Sequence, residues 1–333
     1  MRLAHVTNTS RGFSRHKGWF GFVYRDAHGK KIREKSVLTR IRSLGIPPAY
    51  TNVWICPVAN GHIQATALDA RGRTQYIYHP DWITKHTDEK FHRMLPFAHA
   101  LPRMRRKVAH DLGLNGMPKT KVLAAIVRLL DTTFIRIGNE EYAKENHSFG
   151  LTTLRDRHVK GTGEDMRLMF KGKDGVVHDV HMEDERIRAI IAKCHAMAGK
   201  TLFAYIDPDG ALQSIHSDDV NAYLAESSGE DITAKDFRTW HGTVIAAEYL
   251  WHRKPAQTKR DVQHDVKTAT QRAADALGNT PAVCKKSYIH PHVLSSYVEG
   301  NFAWHAPTAA LKARFPLLHV EEVAFMEWLK RTK

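Results

Sequence analysis

The chain has 333 residues, 42% of them hydrophobic and 26% charged, the balance of a folded protein with length for one large or two ordinary domains rather than a disordered segment. A formal net charge of +15 points to a polyanionic partner, nucleic acid before an anionic membrane surface. Three dispersed cysteines (Cys56, Cys194, Cys284) without a CxxC pair argue against a disulfide framework or a zinc ribbon, and no signal peptide or membrane-length apolar run is visible, so a cytoplasmic protein is expected.

The charge is uneven. Residues 1–85 hold fourteen Lys/Arg against four Asp/Glu, so a small basic module is expected ahead of a larger, more balanced one. That first module reads as β-rich. Strand candidates are Trp19–Tyr24, Tyr50–Cys56, His62–Leu68 and Arg73–Tyr78, the last two separated by the turn-like Asp69-Ala70-Arg71-Gly72. Lys35 to Leu44 suits a basic helix. In the last strand Tyr76 and Tyr78 share one face, with Gln75 and Ile77 on the other. Arg71, Arg73, Gln75 and the two tyrosines suit a nucleic-acid groove, with cations for phosphates and an amide for a base edge; an ordinary amphipathic edge strand is the plainer alternative. His79-Pro80-Asp81 ends the module, and Thr87-Asp88 offers a cap for the next helix. The spacing therefore predicts a linker near 80–88, with domains over 1–86 and 87–333.

Beyond it the pattern is helical. Arg103-Met104-Arg105-Arg106-Lys107 suits a phosphate backbone or a solvated face. Pro118 opens a helix whose Val122, Leu123, Ile126, Leu129 and Leu130 form a core stripe. In Phe134-Ile135-Arg136-Ile137-Gly138 the arginine sits in an apolar run and needs a partner, for which Glu140 and Glu141 are the nearest carboxylates. Met166–Lys171 and Val176–Val180 read as a hairpin whose turn, Gly172-Lys173-Asp174-Gly175, puts Lys173 at the tip. Asp184 to Met197 reads as a helix, and Ser217-Asp218 caps another. Thr233 caps a helix in which Lys235, Arg238 and His241 fall on one face, where they repel one another unless an anion lies among them. Lys259 to Leu277 is a polar helix stopped by Gly278, and residues 319–332 make a last amphipathic helix. Thr280-Pro281 opens a short helix leading to Lys285-Lys286-Ser287-Tyr288. A tyrosine becomes a nucleophile when cations stabilise its phenolate beside an electrophilic phosphorus. Tyr297 is the next candidate. The 22 histidines include no HExxH and no Cys/His ligand spacing, and His290-Pro291-His292 is too sparse to indicate a metal.

These segments together resemble the type IB DNA topoisomerases of the compact poxvirus and bacterial kind, over roughly residues 15–300. Phe134–Gly138 with Tyr142, Lys144-Glu145-Asn146 and Gly150–Leu154 resembles the segment holding the first catalytic arginine. Phe170–Asp174 is similar to the hairpin of the catalytic lysine, Lys235–Thr239 to the segment of the second arginine, Ser287-Tyr288 to the nucleophile, and Gln75–Tyr78 to the DNA-contacting strand. The resemblance implies an α+β protein: a small β-rich N-terminal domain, then a larger, mainly α catalytic domain with a β-hairpin, the two clamping duplex DNA. It implies a monomer at the nucleoid, with Tyr288, Arg136, Lys173, Arg238 and Asn279 as catalytic residues. Gln75, Tyr76, Tyr78, Arg71, Arg73, Tyr142 and Lys235 are the expected DNA contacts. No cofactor, ATP or metal is expected. Asn279 departs from the family, whose poxvirus members carry histidine nine residues before the tyrosine; asparagine can donate a hydrogen bond there but cannot exchange a proton near neutral pH. Two other readings remain. A tyrosine recombinase shares the chemistry but usually has histidine where Lys235 stands, and a non-enzymatic DNA-binding protein explains the charge but not the ordered motifs.

Overall fold

The structure, a computed structural model, describes residues 3–197, 199–253 and 258–332, with the side chains of residues 86–88 and of Tyr142 outside the description. The chain divides into two compact units between Glu89 and Lys90.

The first unit is an antiparallel sheet in the order β2-β1-β3-β4-β5, built from β1 (Phe13–Gly18), β2 (Gly21–Arg25), β3 (Thr51–Ile55), β4 (Ile63–Leu68) and β5 (Thr74–Tyr78). Helix α1 (Lys35–Ser43) buries Ile41 with Val53, Ile55, Ala65 and Ala67. So small an apolar core is reinforced by polar bolts: Arg40 donates to Gln64 Oε1 at 2.8 Å and to the Cys56 carbonyl at 2.7 Å. The expected strand Trp19–Tyr24 is corrected at its start. Trp19 and Phe20 form the turn, because Gly18 and Gly21 pair across the hairpin and close it in two residues. Strand β1 escaped the sequence reading because Phe13-Ser14-Arg15-His16-Lys17-Gly18 does not alternate. The segment expected as a linker is helical. Helix α2 (Pro80–His92) runs through it, with Pro80 at its first position and Thr87-Asp88 inside it rather than capping a later helix.

The second unit packs α3 (Met94–Leu112), α4 (Lys119–Thr133), α5 (Glu140–Asn146), α6 (Glu185–Ala196), α7 (Ser217–Ser228), α8 (Ala234–Trp251), α9 (Lys259–Leu277), α10 (Pro281–Ser287), α11 (Pro291–Val298), α12 (Ala309–Arg314) and α13 (Val320–Arg331) around one apolar core. Phe97 of α3 meets Phe237 of α8 edge to face, with ring centroids 5.0 Å apart, and Trp240 meets Phe325 of α13 at 5.2 Å. The final helix is thus part of the core.

The basic run 103–107 is mostly structural. Arg105 donates to both oxygens of Asp131 (2.7 and 2.9 Å) and of Glu322 (2.6 and 2.9 Å), and Glu322 also accepts from Trp240 Nε1 at 3.0 Å. Burial favours the neutral carboxyls, but these partners outweigh it and hold Asp131 and Glu322 below the ordinary range. The physical reason is the spacing of Leu101, Met104 and Val108, which turns one face of α3 inward and takes Arg105 with it.

Small sheets complete the unit. Strands β6 (Val159–Lys160), β7 (Arg167–Lys171) and β8 (Val177–His181) form one in sequence order, and β9 (Ala204–Ile206) pairs with β10 (Leu212–Ser214) in another that the sequence reading did not include. The expected hairpin is β7–β8. Lys171 pairs with Val177, and Asp174 and Gly175 take left-handed conformations (φ 62° and 84°) in its turn.

Candidate active site

Four segments from distant parts of the second unit meet at Tyr288. The first leaves the C-terminus of α4, where Phe134 adopts a left-handed conformation (φ 57°) and turns the chain into Ile135–Gly138. Backbone bonds fasten this segment to the next loop: Leu151 N donates to Arg136 O at 3.0 Å and Thr152 N to Ile137 O at 2.8 Å. The second is α8, which carries Arg238. The third is the end of α9, where Gly278 (φ 58°) stops the helix and presents Asn279. The fourth is α10, opened by Thr280, whose side chain accepts from Val283 N, and closed by Tyr288.

The side chains converge. Arg238 is 3% exposed, and its guanidinium donates to the Phe134 carbonyl and, at 2.8 Å, to the Leu277 carbonyl. Its guanidinium carbon lies 5.0 Å from the centroid of the Tyr288 ring. Arg136 Nη2 donates to Asn279 Oδ1. Among the described residues the arginines thus donate to an amide and to two carbonyls, and not to the carboxylates Glu140 and Glu141; Glu140 instead faces His216 Nδ1 at 2.7 Å. Among the described residues, Arg136 Nη1, Arg238 Nε and Asn279 Nδ2 are buried donors without a hydrogen-bond partner. Buried polar atoms are nearly always satisfied, so three orphans in one cluster mark a place built for an acceptor from outside.

The electrostatics agree. Burial and the neighbouring Arg136 push the Arg238 pKa down from its ordinary value, the signature of cations gathered without a matching anion. At Tyr288, burial disfavours the phenolate, but Arg238, Arg136 and Lys235 outweigh it, and the net effect is a pKa below the ordinary value of about 10. A phenol that ionises more readily, set beside buried donors of this kind, is an arrangement suited to nucleophilic attack with charge developing on oxygen.

The backbone of Tyr288 is equally fixed. Its N–H donates to Cys284 O at 2.8 Å, its carbonyl lies 2.9 Å from the Thr243 hydroxyl, and Lys90 Nζ donates to the preceding carbonyl, Ser287 O, at 2.8 Å. Gly242 permits this closeness, since a Cβ there would lie 3.2 Å from Tyr288 Cβ and 2.8 Å from Leu277 Cδ1. His178 of β8 stacks on Phe170 at 4.8 Å and supports both the hairpin and the α9 end, where a Cβ on Gly172 or Gly278 would strike its ring. Burial, with Arg136 and Arg238 adding to it, drops the His178 pKa to about 4, so it adds no further cation at neutral pH.

Lys90, His178, Gly242 and Thr243 escaped the sequence reading. Gly242 lies one helical turn beyond Arg238 on the same face, and His178 occupies an inward position of β8 opposite Phe170, so periodicity held a signal for both. Nothing local marks Lys90, which reaches a carbonyl 197 residues away.

Of the expected residues, Tyr288, Arg136, Arg238 and Asn279 come together, while Lys173 stands on the exposed turn of the hairpin braced by His178. Lys235 is exposed on α8 and acts on Tyr288 through its charge. The expected face of Lys235, Arg238 and His241 is corrected at His241, which is buried and bonded to Asp131 Oδ1 at 2.9 Å. In the first unit, Tyr76 and Tyr78 stack at 6.0 Å and are 46% and 37% exposed. Arg71 is exposed. Arg73 and Gln75, both half-buried, donate to Asp69 Oδ2 at 2.8 and 3.0 Å. The Tyr142 side chain lies outside the described residues.

Comparison with known proteins meets this geometry. A family model described as the eukaryotic DNA topoisomerase I catalytic core matches residues 79–313, and one described as the bacterial DNA topoisomerase IB N-terminal domain matches residues 21–69. DNA topoisomerase 1B of Acanthamoeba polyphaga mimivirus is 30% identical over 293 residues, which is 86% of this chain and 87% of that protein. DNA topoisomerase 1B of vaccinia virus (strain Copenhagen) is 22% identical over 237 residues, 70% of this chain and 72% of the relative. DNA topoisomerase 1 of rabbit fibroma virus is 25% identical over 239 residues, 68% and 69%. A catalytic-core match across most of the chain, with a bacterial N-terminal match ahead of it, makes this protein a member of the type IB DNA topoisomerase family, with that family's activity.

Proposed function

We propose that Tyr288 attacks a DNA phosphodiester, that its oxygen bonds to phosphorus at the 3′ side of the break, and that the 5′ oxygen leaves. The phenol gives up its proton and the leaving oxygen takes one, so the step is balanced and the link keeps the energy of the broken ester. No nucleotide hydrolysis is needed for the reverse step. Charge builds on the non-bridging oxygens in between, and Arg136 Nη1, Arg238 Nε and Asn279 Nδ2 are the donors we assign to them. Lys173 is our candidate for protonating the leaving oxygen, delivered by the hairpin turn. The free strand then swivels before religation, and supercoils relax. The observation that carries this reading is the three unpartnered donors beside a tyrosine of lowered pKa.

The chain acts on duplex DNA in this reading as a monomer, with contacts from both units: Arg71, Arg73, Gln75, Tyr76 and Tyr78 from the first, Tyr142 and Lys235 from the second. Three buried unpaired cysteines suit a cytoplasmic, nucleoid setting. The test is relaxation of supercoiled plasmid in EDTA without nucleotide, with a denaturing gel for protein bound covalently to DNA. Duplex binding without relaxation, or adducts at the 5′ side of the nick, would sink the proposal.

Two variants probe its parts. Asn279→Ala removes one orphan donor and the acceptor of Arg136, and is expected to slow cleavage at saturating DNA by about 100-fold. Asn279→His, which restores a donor, should recover part of the loss. An alanine variant as fast as wild type shows that the position is idle. Gly242→Ala puts a methyl against Tyr288 and Leu277. It is expected to lower cleavage by roughly 100-fold through displacement of the phenol while duplex affinity stays within about twofold, and a loss confined to affinity would refute that account.

A further inference from the structure

The β1–β2 hairpin reaches beyond its sheet. β1 pairs with β3 only at Phe13 and Ser14, whereas its ladder with β2 continues from Ser14 through Gly18 opposite Gly21. Four further residue pairs at about 3.3 Å each make an arm of roughly 13 Å. A two-stranded arm is marginal alone, and this one is braced at its root. Arg15 donates to the carbonyls of Ile46 (3.0 Å), Pro47 (2.9 Å) and Tyr50 (2.6 Å) and lies 4.2 Å from the centroid of the Phe22 ring. At the tip, Trp19 is 100% and Phe20 106% exposed, and Phe22 behind them is 40% exposed. Two large, fully exposed aromatics on a braced arm suit contact with another molecule.

The charge around the arm selects the partner. Residues 11–35 hold eight Lys/Arg (Arg11, Arg15, Lys17, Arg25, Lys30, Lys31, Arg33 and Lys35) against Asp26 and Glu34, and the Asp26 carboxylate is occupied by the amides of His28 and Lys30. Such a rim repels a second copy of itself and attracts a polyanion. We infer that the Trp19-Phe20 tip is an aromatic wedge that packs against the bases and sugar edges of a duplex groove, while the surrounding cations hold the phosphates. This rests on the proposal that the first unit contacts the DNA substrate, and adds a contact separate from Tyr76 and Tyr78. Aromatic side chains stack on any base, so the wedge would add affinity with little sequence preference.

The test uses the full chain and a Trp19→Ala/Phe20→Ala double variant on a 40-bp duplex across a salt series. Because both side chains are exposed, the variant should melt at the wild-type temperature. Its Kd is expected to rise about 5- to 100-fold, with the slope of log Kd against log salt unchanged, since no phosphate contact is lost. Lys17→Ala, by contrast, should lower that slope by about one. A duplex with 2-aminopurine at successive positions should brighten with wild type and not with the variant. Equal Kd for variant and wild type overturns the wedge while leaving DNA binding intact, and wild type that fails to bind the duplex overturns the underlying reading instead. A loss of slope in the double variant makes the tip an electrostatic element and not a wedge. Binding to anionic phosphatidylserine vesicles that the variant alone loses, with duplex Kd unchanged, assigns the tip to a membrane, and a concentration-dependent dimer lost in the variant assigns it to a second copy; either refutes the proposal.

Discussion

Replacing Tyr288 by phenylalanine is expected to abolish plasmid relaxation and the covalent adduct together, a loss of at least about 10⁴-fold, while duplex affinity stays within a few-fold of wild type. Removing the attacking atom of a covalent mechanism costs that much because the remaining groups can only stabilise a reaction that no longer starts. The fold should tolerate the change. The ring keeps its packing under Arg238, 5.0 Å away, and the backbone bonds to Cys284 and Thr243 do not involve the hydroxyl. A stability change of about 1 kcal/mol or less is anticipated, readable as a Tm shift of a few degrees. Tyr297, the other tyrosine near the C-terminus, is a poor substitute. Its hydroxyl donates to Asp265 Oδ2 at 2.6 Å, and burial together with that carboxylate raises its pKa, the opposite of activation. Residual relaxation in Tyr288→Phe that disappears in Tyr288→Phe/Tyr297→Phe would show this argument to be wrong.

What could be read from the sequence follows the range of the forces involved. Gly278, Thr280 and Pro281 dictate their conformations locally, so the end of α9, the start of α10 and the position of Tyr288 after it were all legible. The hairpin turn at Lys173 was legible for the same reason. Arg105 and His241 were not. Both look like members of basic surfaces, but their partners Asp131 and Glu322 are 26 to 217 residues away, and burial with an ion pair overrides any reading of charge along a helix. Arg238, on the same helix as His241, stayed available because its acceptors are carbonyls, which leave its charge unneutralised. The convergence of Arg136, Arg238, Asn279 and Tyr288 was anticipated from motif order, whereas the orphaned donors among them are visible only in three dimensions.

Arg238→Ala is expected to slow cleavage at saturating DNA by about 100- to 1000-fold or more, with duplex affinity within a few-fold of wild type. Arg238 does two things that must be separated. In the proposed mechanism it offers Nε to the phosphate, and in the structure it satisfies the Phe134 and Leu277 carbonyls, so alanine leaves two acceptors short at about 1–3 kcal/mol each and should lower Tm visibly. Arg238→Lys keeps the charge but not the planar fork that serves two carbonyls and an anion at once, and should recover only a minor part of the rate. The pH profile distinguishes catalysis from folding. Arg238 is the chief cation opposing the effect of burial on the Tyr288 phenol, so its removal raises the phenol pKa, and the rising limb of the cleavage rate should move to higher pH. A merely structural arginine predicts a rate lost in proportion to unfolded protein, recovered on cooling, with the limb in place. An unmoved limb, or full rescue by lysine, would remove Arg238 from the oxyanion site and leave Arg136 and Asn279 to account for it.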